Sequence, residues 1–422
     1  MTIRPSARTG IFDVAVVGGG PAGMMAASTA ASRGLKVVLL EKNQRCGKKL
    51  SITGGGRCNI TNNKPDVRDM LAQYKKEGKF LFSTFTQHGV TESIRWFTDR
   101  GVKLKEENEG RLFPVTERAE SVRAVLENEL KTNNVIVRFN EHVSSIRFDR
   151  SAAQFTVTSN QGHIAARACI LATGGVARPE TGSTGEGFNW LKQLGHTVVA
   201  NNNALVPLAL KTKWTKALSG LTVSDVTISV YAYNKKQFSR QGRMLFTHVG
   251  VSGPLILNMS KEVGDLLDHT EVVLYLDLFP AYDAGQFKEY LHTLLSSNKT
   301  LLNTLSGIMP RQLVKAVLNE LHLDGETPCH SVVREDRVKL LNYLKRIPLP
   351  VQGLLGTDKA IISSGGVVLE EIDFRTMQSK RIPDLYIVGD LLNINRPSGG
   401  YSLQLCWSTG YVAGMHACAD AT

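Results

Sequence analysis

The segment from Val14 to Glu41 constrains the fold of this 422-residue chain more than any other. It reads VAVVGGGPAGMMAASTAASRGLKVVLLE and contains an apolar run, a G-x-G-x-x-G motif, a run of small residues, a second apolar run and an acid. This order of strand, glycine turn, helix, strand and acid predicts a β-α-β unit that binds a dinucleotide. A glycine-rich turn in an unrelated α/β fold is the alternative interpretation.

Four residues of the unit have separate expected parts in holding the ligand. Gly18 makes the turn, Gly20 lets the backbone approach a pyrophosphate, and Gly23 lets the helix pack closely against the strand. The helix N-terminus would then offer free N–H groups and its positive dipole end to the phosphates. Glu41 lies 18 residues after Gly23, where its carboxylate can accept hydrogen bonds from both hydroxyls of an adenosine ribose.

Bulk composition is that of a globular protein. Hydrophobic residues make up 42% of the chain and charged residues 21%, both ordinary values, and the length predicts two or three domains. No apolar run approaches the roughly 20 residues that span a bilayer. The N-terminus has basic residues but no apolar signal-peptide core. We therefore expect a cytoplasmic protein with no membrane segment.

The cysteine pattern and the net charge indicate which metal sites and binding partners to expect. The six cysteines include no C-x-x-C pair, so we expect reduced thiols and no disulfide, metal site or iron–sulfur cluster. The net charge is +12, of which +9 falls in residues 1–190, with 27 Lys and Arg against 18 Asp and Glu. The basic residues are dispersed, which favours a generally basic surface. A pyrophosphate or an anionic substrate could use part of this field, and nucleic acid is not excluded.

The order of patterns along the chain predicts an α/β protein with a discontinuous Rossmann-like domain. Strand and helix patterns alternate up to about residue 195, and glycine-rich strands return from about residue 355. We therefore assign residues 1–195 and 355–422 to the cofactor domain. The insert divides into a β-rich domain at 196–283 and 348–354, with a predicted turn at Gly242, and a helical subdomain at 284–347.

Glycine-rich turns follow three predicted strands, at residues 18–23, 173–175 and 389–390. Ligands of doubly wound sheets bind at the carboxyl ends of the strands. Three such ends, spread along the chain, indicate one long ligand that crosses the sheet edge, and FAD fits this better than NAD. Asp390 would accept a hydrogen bond from a ribityl hydroxyl, unless it only caps a turn.

A last predicted helix follows Gly400, Tyr401 and Ser402. A helix N-terminus directed at the flavin N1–C2=O region would stabilise the negative charge of reduced flavin. Alternatively, the apolar residues Leu403 and Trp407 serve only to dock the C-terminus. Both roles are compatible, because they use different parts of one helix.

Five segments place the chain in a family. They are VVGGGPAGMMAA (16–27), GKKLSITGGGRCNITN (47–62), LATGGVARPETGSTGEG (171–187), GRMLFTHVGVSGPLIL (242–257) and LYIVGDLLNINRPSGGYSLQLCWSTGYVAG (385–414). Through them the chain resembles flavoproteins with two dinucleotide-binding domains. It is most similar to the bacterial FAD-dependent oxidoreductases of the aminoacetone-oxidase type and the dehydro-bile-acid-reductase-like type. The resemblance implies a Rossmann-type FAD domain interrupted by a β-barrel-like domain with a small helical subdomain, and a redox enzyme.

The chain departs from the family pattern in its last segment. There the family commonly reads G-E-x-L-D-x-x-G-x-x-G-G-Y-N, whereas this chain has Asp390, Asn393 and Ser402 at the variable places. Aspartate in place of glutamate keeps the carboxylate. Asn393 and Ser402 replace residues expected near the flavin, so the resemblance does not imply an identical substrate.

The polar loop at 47–62 and the last segment supply further candidate residues. Arg57 and Asn59 could hydrogen-bond flavin or substrate carbonyls, while Cys58 has no partner cysteine nearby and is better explained by packing than by redox chemistry. The complete set of predicted cofactor-binding residues is Gly18, Gly20, Pro21, Ala22, Gly23, Glu41, Lys42, Lys49, Gly55, Arg57, Cys58, Asn59, Thr173, Gly174, Gly389, Asp390, Gly400, Tyr401, Ser402 and Leu403.

Three residues are candidates for the chemistry itself. His248 could donate a proton or only fix its loop, Arg396 could bind a substrate carboxylate or be a loop cation, and Tyr401 could donate a proton or pack. The expected reaction passes a hydride between flavin N5 and a small organic substrate. NADH or NADPH would visit transiently, because the sequence contains no second complete G-x-G-x-x-G unit. An RNA-modifying flavoprotein and a flavin-binding redox sensor are the alternatives.

Overall fold

The computed structural model describes residues 10–199, 203–204, 206–355, 362–363 and 365–419. The chain divides into two compact units, one of residues 1–203 and 361–422 and the other of residues 204–360. Along the chain, the second unit is therefore inserted into the first. Its β-rich and helical parts fall in the same unit, while the finer three-part division stays a prediction.

The part of the first unit before the insert begins with the expected β-α-β arrangement. Its strands are Phe12–Val17 (β1), Val37–Glu41 (β2), Thr61–Asn62 (β3), Leu104–Glu107 (β4), Arg111–Pro114 (β5), Ile136–Phe139 (β6), Val143–Asp149 (β7), Gln154–Ser159 (β8), Gly162–Leu171 (β9) and Val198–Val199 (β10). Its helices are Pro21–Ser32 (α1), Val67–Ala72 (α2), Gly78–Gln87 (α3), Val90–Thr98 (α4), Ala119–Thr132 (α5) and Glu186–Gln193 (α6).

Strands and helices of the insert follow. Asn203–Ala204 (β11) stands where the first unit ends and the second begins along the chain, and the strands after it are Leu208–Leu210 (β12), Thr222–Ala232 (β13), Lys235–Phe246 (β14), Gly250–Ser252 (β15), Val272–Asp277 (β16) and Ile347–Leu354 (β17). The helices are Pro254–Leu267 (α7), Ala284–Leu294 (α8), Leu301–Leu305 (α9), Arg311–Leu321 (α10) and Arg334–Lys345 (α11). The chain ends with Ile362–Ser363 (β18), Gly366–Val367 (β19), Ile372–Asp373 (β20), Gln378–Ser379 (β21), Leu385–Ile387 (β22) and Tyr401–His416 (α12).

A parallel core of five strands, in the order β22-β9-β1-β2-β6, forms the centre of the first unit's main sheet. Val17 pairs with Leu40 on one side and Leu171 on the other, and Leu171 pairs with Ile387. Apart from the partly exposed Asp13 and the terminal Glu41, strands β1 and β2 are apolar and buried on both faces, as parallel strands covered by helices require. The matched register brings the carboxyl ends of β22, β9, β1 and β2 to one edge of the sheet.

Helices α1 and α12 pack closely and run parallel. A Cβ at Gly410 would overlap the carbonyl oxygen of Ala22, and one at Gly414 would lie 2.5 Å from that of Ala26. Only glycine allows this separation, because any side chain would have to displace a helix backbone. Since Ala22 and Gly410 start a contact that Ala26 and Gly414 continue, both helix N-termini point in the same direction.

The second unit contains a closed barrel of six strands in the order β12-β15-β14-β13-β16-β17. Helices α8, α10 and α11 contribute buried leucines to the same apolar core. This arrangement confirms the predicted fold class. The predicted turn at Gly242 is wrong, because Gly242 lies inside β14 at a register shift against β13. The shift places residues 224 and 225 of β13 opposite residue 243 of β14, so the bulge belongs to β13 and β14 continues past Gly242. A glycine beside a bulge cannot be distinguished from a turn glycine by sequence alone.

Two further differences concern helices. The sequence pattern over residues 66–77 predicts one helix, but the structure ends α2 at Ala72 and forms a short 3-10 turn that starts at Lys75, whose φ is 51°. The sequence pattern does not predict α3, which starts at Gly78. Among the residues that the structure describes, no helix combines the length and apolar character needed to cross a membrane.

Candidate cofactor site

The three glycine-rich turns and Glu41 meet at one edge of the main sheet. The Gly18 amide donates to Leu40 O over 2.8 Å, and the Ala172 amide donates to Val17 O over 2.9 Å. On the other side of β9, the Val388 amide donates to Leu171 O over 3.1 Å. The structure thus brings together the strand ends at 18–23, 173–175 and 389–390, as the sequence predicts.

The first glycine turn has the geometry expected of a dinucleotide-binding loop. Gly18 has a φ of 108°, and a Cβ there would lie 2.5 Å from Ala172 O. A Cβ at Gly23 would overlap the Gly18 carbonyl oxygen. At Gly20, by contrast, the nearest atom would be Ala172 O at 4.0 Å. Gly18 and Gly23 are therefore needed for close packing inside the protein, and Gly20 leaves open space above the sheet edge.

Glu41 is held in place by backbone and side-chain donors. Its Oε2 accepts from the Gly19 amide over 2.8 Å, and its Oε1 accepts from the amide and Nδ2 of Asn43 over 2.7 and 2.6 Å. The residue is 7% exposed. These three bonds fix the carboxylate at the end of β2 and leave part of the acceptor capacity of Oε2 for a ribose hydroxyl. The sequence pattern does not single out Asn43 for this contact.

Asp390 lies between two cations at the end of β22. It forms an ion pair with Arg396 and a 3.4 Å contact with Lys49 Nζ. Burial by itself raises the pKa of the Asp390 carboxyl, but the charges of Arg396 and Lys49 outweigh it and hold the net pKa below its ordinary value. Asp390 is therefore ionised at neutral pH, and the cluster has one positive charge in excess.

All three nitrogens of the Arg396 guanidinium have partners. Nε donates to Ser402 Oγ over 3.0 Å, Nη1 donates to Ile394 O over 2.7 Å, and Nη2 donates to Asp390. The side chain is 1% exposed. These contacts favour a part in holding Asp390 and the start of α12. None of them involves an exposed group, and the predicted binding of a substrate carboxylate stays a prediction.

Helix α12 begins against strand β3. Gly400 has a φ of 100°, and a Cβ there would lie 2.6 Å from Thr61 O and 2.9 Å from the Asn62 nitrogen. Tyr401 follows, with its carbonyl oxygen accepting from the Tyr74 hydroxyl over 2.8 Å. Burial, aided by the Glu109 carboxylate, raises the pKa of the Tyr401 phenol to about 12. This phenol therefore keeps its proton at neutral pH.

The loop at 47–62 places its candidate residues in different surroundings. Arg57 donates to Glu107 over 2.8 Å and stacks on Phe113 at 4.2 Å, whereas Gly55 would have no atom within 4 Å of a Cβ. Cys58 is completely buried, and burial raises the pKa of its thiol to about 12. The thiol stays protonated at neutral pH, which supports packing over redox chemistry.

Lys42 and Thr173 lie near the start of α6. Lys42 Nζ donates to Thr184 Oγ1 and to Glu186 Oε2, each over 2.6 Å. A Cβ on Gly187 would overlap Thr173 Oγ1. Lys42 is thus already paired within the protein, and Thr173 has its hydroxyl next to the first turn of a helix.

The polar groups at the sheet edge fit FAD. Helices α1 and α12 both start without a capping side chain and without an acidic residue in the first turn, which leaves their amides available to anionic or carbonyl oxygens. In the 47–62 loop and after β9, three buried side-chain oxygens have no hydrogen-bond partner among the described residues: Thr173 Oγ1, Asn59 Oδ1 and Asn62 Oδ1. Such atoms are rare in folded proteins unless a ligand or water satisfies them. The residues present can therefore hold a ligand with phosphate and amide groups.

His248 belongs to the second unit. It lies exposed on the turn between β14 and β15, and its predicted part in proton donation stays a prediction. Gln404, a completely buried amide in α12, is not singled out by the sequence pattern. It lies in the family segment 385–414, but a glutamine in a helix gives no sign of burial by itself.

Comparison with known proteins adds family information to this geometry. The family model described as HI0933-like protein Rossmann domain matches residues 12–416. The 3-dehydro-bile acid delta(4,6)-reductase of Clostridium scindens is 29% identical over 96% of this chain and 98% of its own length. The ribosomal RNA dihydrouridine synthase of Escherichia coli is 28% identical over 97% of each chain.

A solved structure shows the same fold at low sequence identity. The open conformation of a flavocytochrome c3 fumarate reductase aligns with a TM-score of 0.54 and 17% identity over 98% of this chain and 79% of its own. This likeness confirms the Rossmann-like fold. The nearly full-length family match and the full-length reductase relative bear out the other two expectations, FAD as the cofactor and an oxidoreductase.

Proposed function

Because the chain belongs to the HI0933-like family of Rossmann-domain proteins, we propose that it is a reductase that saturates a carbon–carbon double bond conjugated with a carbonyl group. FAD, when bound, supplies the hydride from N5. The observation that supports a flavin site most directly is the meeting of four strand ends with the uncapped N-termini of α1 and α12 in the first unit.

The names of the two full-length relatives motivate the bond type. One is a delta(4,6)-reductase of 3-dehydro-bile acids and the other makes dihydrouridine in ribosomal RNA. In both reactions a double bond conjugated with a carbonyl group becomes a single bond. In the reaction that we propose for this chain, a hydride would add to the β-carbon and a proton to the α-carbon, with NADH or NADPH as the source of the two electrons.

Different residues at the sheet edge would bind different parts of FAD. Glu41 would hold the adenosine ribose, and the amides after Gly20 would hold the pyrophosphate. Asp390, fixed by Arg396 and Lys49, would accept from a ribityl hydroxyl. The N-terminus of α12, from Gly400 onward, would face the pyrimidine edge of the flavin and favour its negative charge.

Tyr401 is the candidate proton donor in the first unit. Its phenol remains protonated at neutral pH because burial raises its pKa to about 12, and it stands in the first turn of α12. Transfer to an enolate carbon is favourable because the enolate is a strong base. The predicted donor His248 is the other candidate.

An anaerobic two-step experiment tests the proposal. The purified protein is loaded with FAD, reduced with NADH or with NADPH, and then mixed with a 3-oxo-Δ4 steroid or another cyclic enone. We expect bleaching of the flavin absorbance with one of the nucleotides and its return with the enone, together with the saturated ketone. A chain that binds no FAD, or a reduced flavin that no enone reoxidises faster than buffer, contradicts the proposal. Turnover would also eliminate a redox sensor without enzymatic activity.

A ribosomal RNA substrate is the second candidate function. It is supported by the full-length relative of that name and by the net charge of +12, since a basic surface attracts the RNA backbone. We expect salt-dependent RNA binding and dihydrouridine formation in naked or partly assembled ribosomal RNA. The absence of both, with turnover of a small enone, would leave the small-molecule reductase.

A further inference from the structure

Gln404 forms the centre of a buried hydrogen-bond network one turn inside α12. Its Nε2 lies within hydrogen-bond distance of three acceptors, Gly89 O at 3.0 Å, Ser93 Oγ at 2.8 Å and Ser408 Oγ at 3.0 Å, which share its two hydrogens. Its Oε1 accepts from Thr61 Oγ1 over 2.7 Å. Both Gln404 and Thr61 are 0% exposed. Water therefore cannot replace a lost partner without a rearrangement of the core.

The orientation of the Gln404 amide is determined by its neighbours. Gly89 O can only accept a hydrogen bond, so the NH2 group must face it. The amide oxygen then faces Thr61, and the Thr61 hydroxyl must donate. Because Gln404 Oε1 can only accept and the Thr61 hydroxyl donates to it, this hydrogen bond fixes both the distance and the register between α12 and β3.

Two further bonds join the same two segments. Trp407 Nε1 donates to Ile60 O over 2.9 Å, and Asn62 Nδ2 donates to Gly399 O over 3.2 Å. Each of the residues 60–62 is thus hydrogen-bonded either to α12 or to Gly399, which lies two residues before the helix starts. The Thr61 backbone also lies directly against Gly400, where a Cβ would be 2.6 Å from Thr61 O.

This network lies between two segments that we assign to the flavin. Strand β3 continues the loop that contains Thr53–Asn59, and α12 begins at the residue that follows Gly400. Asn59 Oδ1 and Asn62 Oδ1, which have no partner within the described part of the chain, stand just before and within β3. A shift of β3 relative to α12 would move these atoms and the helix N-terminus relative to one another.

We propose that Gln404 and Thr61 are positioning residues that set the separation between the 53–59 loop and the N-terminus of α12, and hence the binding geometry of FAD. The inference rests on the proposed function, because it takes both segments as flavin contacts. Neither residue needs to touch the cofactor. Their effect passes through the fixed register between β3 and α12.

Thr61→Val and Thr61→Ser form the matched pair that tests the inference. Valine keeps the shape of threonine but removes the donor, whereas serine keeps the hydroxyl. We expect Thr61→Val to weaken FAD binding about tenfold, as loss of one partner in a buried pair does. We also expect a changed visible circular dichroism of bound FAD, with Thr61→Ser restoring both values. Gln404→Glu, which presents an acceptor to Gly89 O, should show the same changes in stronger form.

The readouts separate positioning from general stability. FAD affinity is measured by quenching of flavin fluorescence, the flavin environment by visible circular dichroism, and the fold by urea unfolding of the FAD-free protein. Lower stability in Thr61→Val with unchanged affinity and flavin spectrum would overturn the inference. Wild-type protein that binds no FAD would instead contradict the proposed function itself. If Gln404→Glu does not fold, the Thr61 pair still decides the outcome.

Discussion

The backbone amide of Gly19 donates a 2.8 Å hydrogen bond to Oε2 of Glu41, which joins the glycine turn after β1 to the last residue of β2. A Cβ on Gly19 would lie 2.9 Å from the same oxygen and 2.6 Å from Cys46 Sγ. The carboxylate that we assign to the ribose is therefore already oriented by the turn that we assign to the pyrophosphate. Binding of the adenosine half of FAD needs little reorganisation.

Replacement of Glu41 by glutamine should weaken FAD binding about tenfold or more. An amide cannot accept from both Gly19 and Asn43 while presenting an acceptor to a ribose hydroxyl, and hydrogen bonds to charged groups contribute about 1.5–3 kcal/mol each. Fluorescence titration with FAD measures the effect. Glu120→Gln, at an exposed position in α5, is the matched control, and equal affinity of the two variants would refute the assignment.

Removal of Arg396 should destabilise the protein, and simultaneous removal of Asp390 should restore part of the loss. Arg396→Met leaves the buried Asp390 with Lys49 alone, and loss of one member of a buried ion pair costs about 3–5 kcal/mol. The double variant Asp390→Asn, Arg396→Met removes both charges. Urea unfolding of the FAD-free proteins measures the coupling. Additive losses would contradict the pairing, and unchanged stability with a raised KM would support substrate binding by Arg396.

The native protein should react slowly with thiol reagents. All six cysteines are free and buried, and burial raises the pKa of Cys58, Cys169 and Cys406 to about 12. Since the thiolate is the reactive species, we expect little colour with a disulfide reagent in native buffer and six thiols per chain in guanidinium. If one thiol reacted fast in native buffer and this reaction were absent in Cys58→Ala, the result would support a redox role for Cys58.

Acidification should destabilise the protein partly through His88. This imidazole is buried and stacks on Tyr411 with ring centroids 4.2 Å apart, and burial lowers its pKa from 6.5 to about 3. Because the folded-state pKa of His88 lies below its unfolded value, the neutral imidazole contributes its full stabilisation above pH 6.5. This contribution is lost as the pH falls towards 3. The expected loss from this residue is about 1.4 kcal/mol at about pH 5.5.

His88→Phe isolates this contribution. The ring stacking is retained and the titratable group is removed, so the variant should lose less stability than wild type between neutral pH and about pH 5.5. Urea unfolding at the two pH values gives the difference. His142→Gln, at an exposed position, serves as the control and should follow wild type. A slope unchanged in His88→Phe would show that other groups determine the acid sensitivity.

Features that depend on a short stretch of sequence are predicted correctly, whereas features that depend on how the chain folds are not. The β-α-β unit at 12–41 depends on glycine spacing and apolar runs within 30 residues, so the sequence predicts it correctly. The turn assigned to Gly242 fails because glycine occurs both in turns and inside strands beside a bulge, as it does here opposite β13. Arg396 shows the corresponding limit in the site, since its ion pair with Asp390 is only six residues away but depends on how the segment after β22 is folded.

By itself, the sequence determined the dinucleotide-binding unit, FAD as its ligand and the interruption of the FAD domain by an insert, because glycine turns and hydrophobic periodicity report local backbone requirements. Only the tertiary structure decided which strand ends are neighbours, that Arg396 is bound to Asp390, and that Thr61 donates to Gln404 across 343 positions of the chain. Such contacts arise when distant segments are brought together by burial of the whole core, and no local pattern specifies the partner.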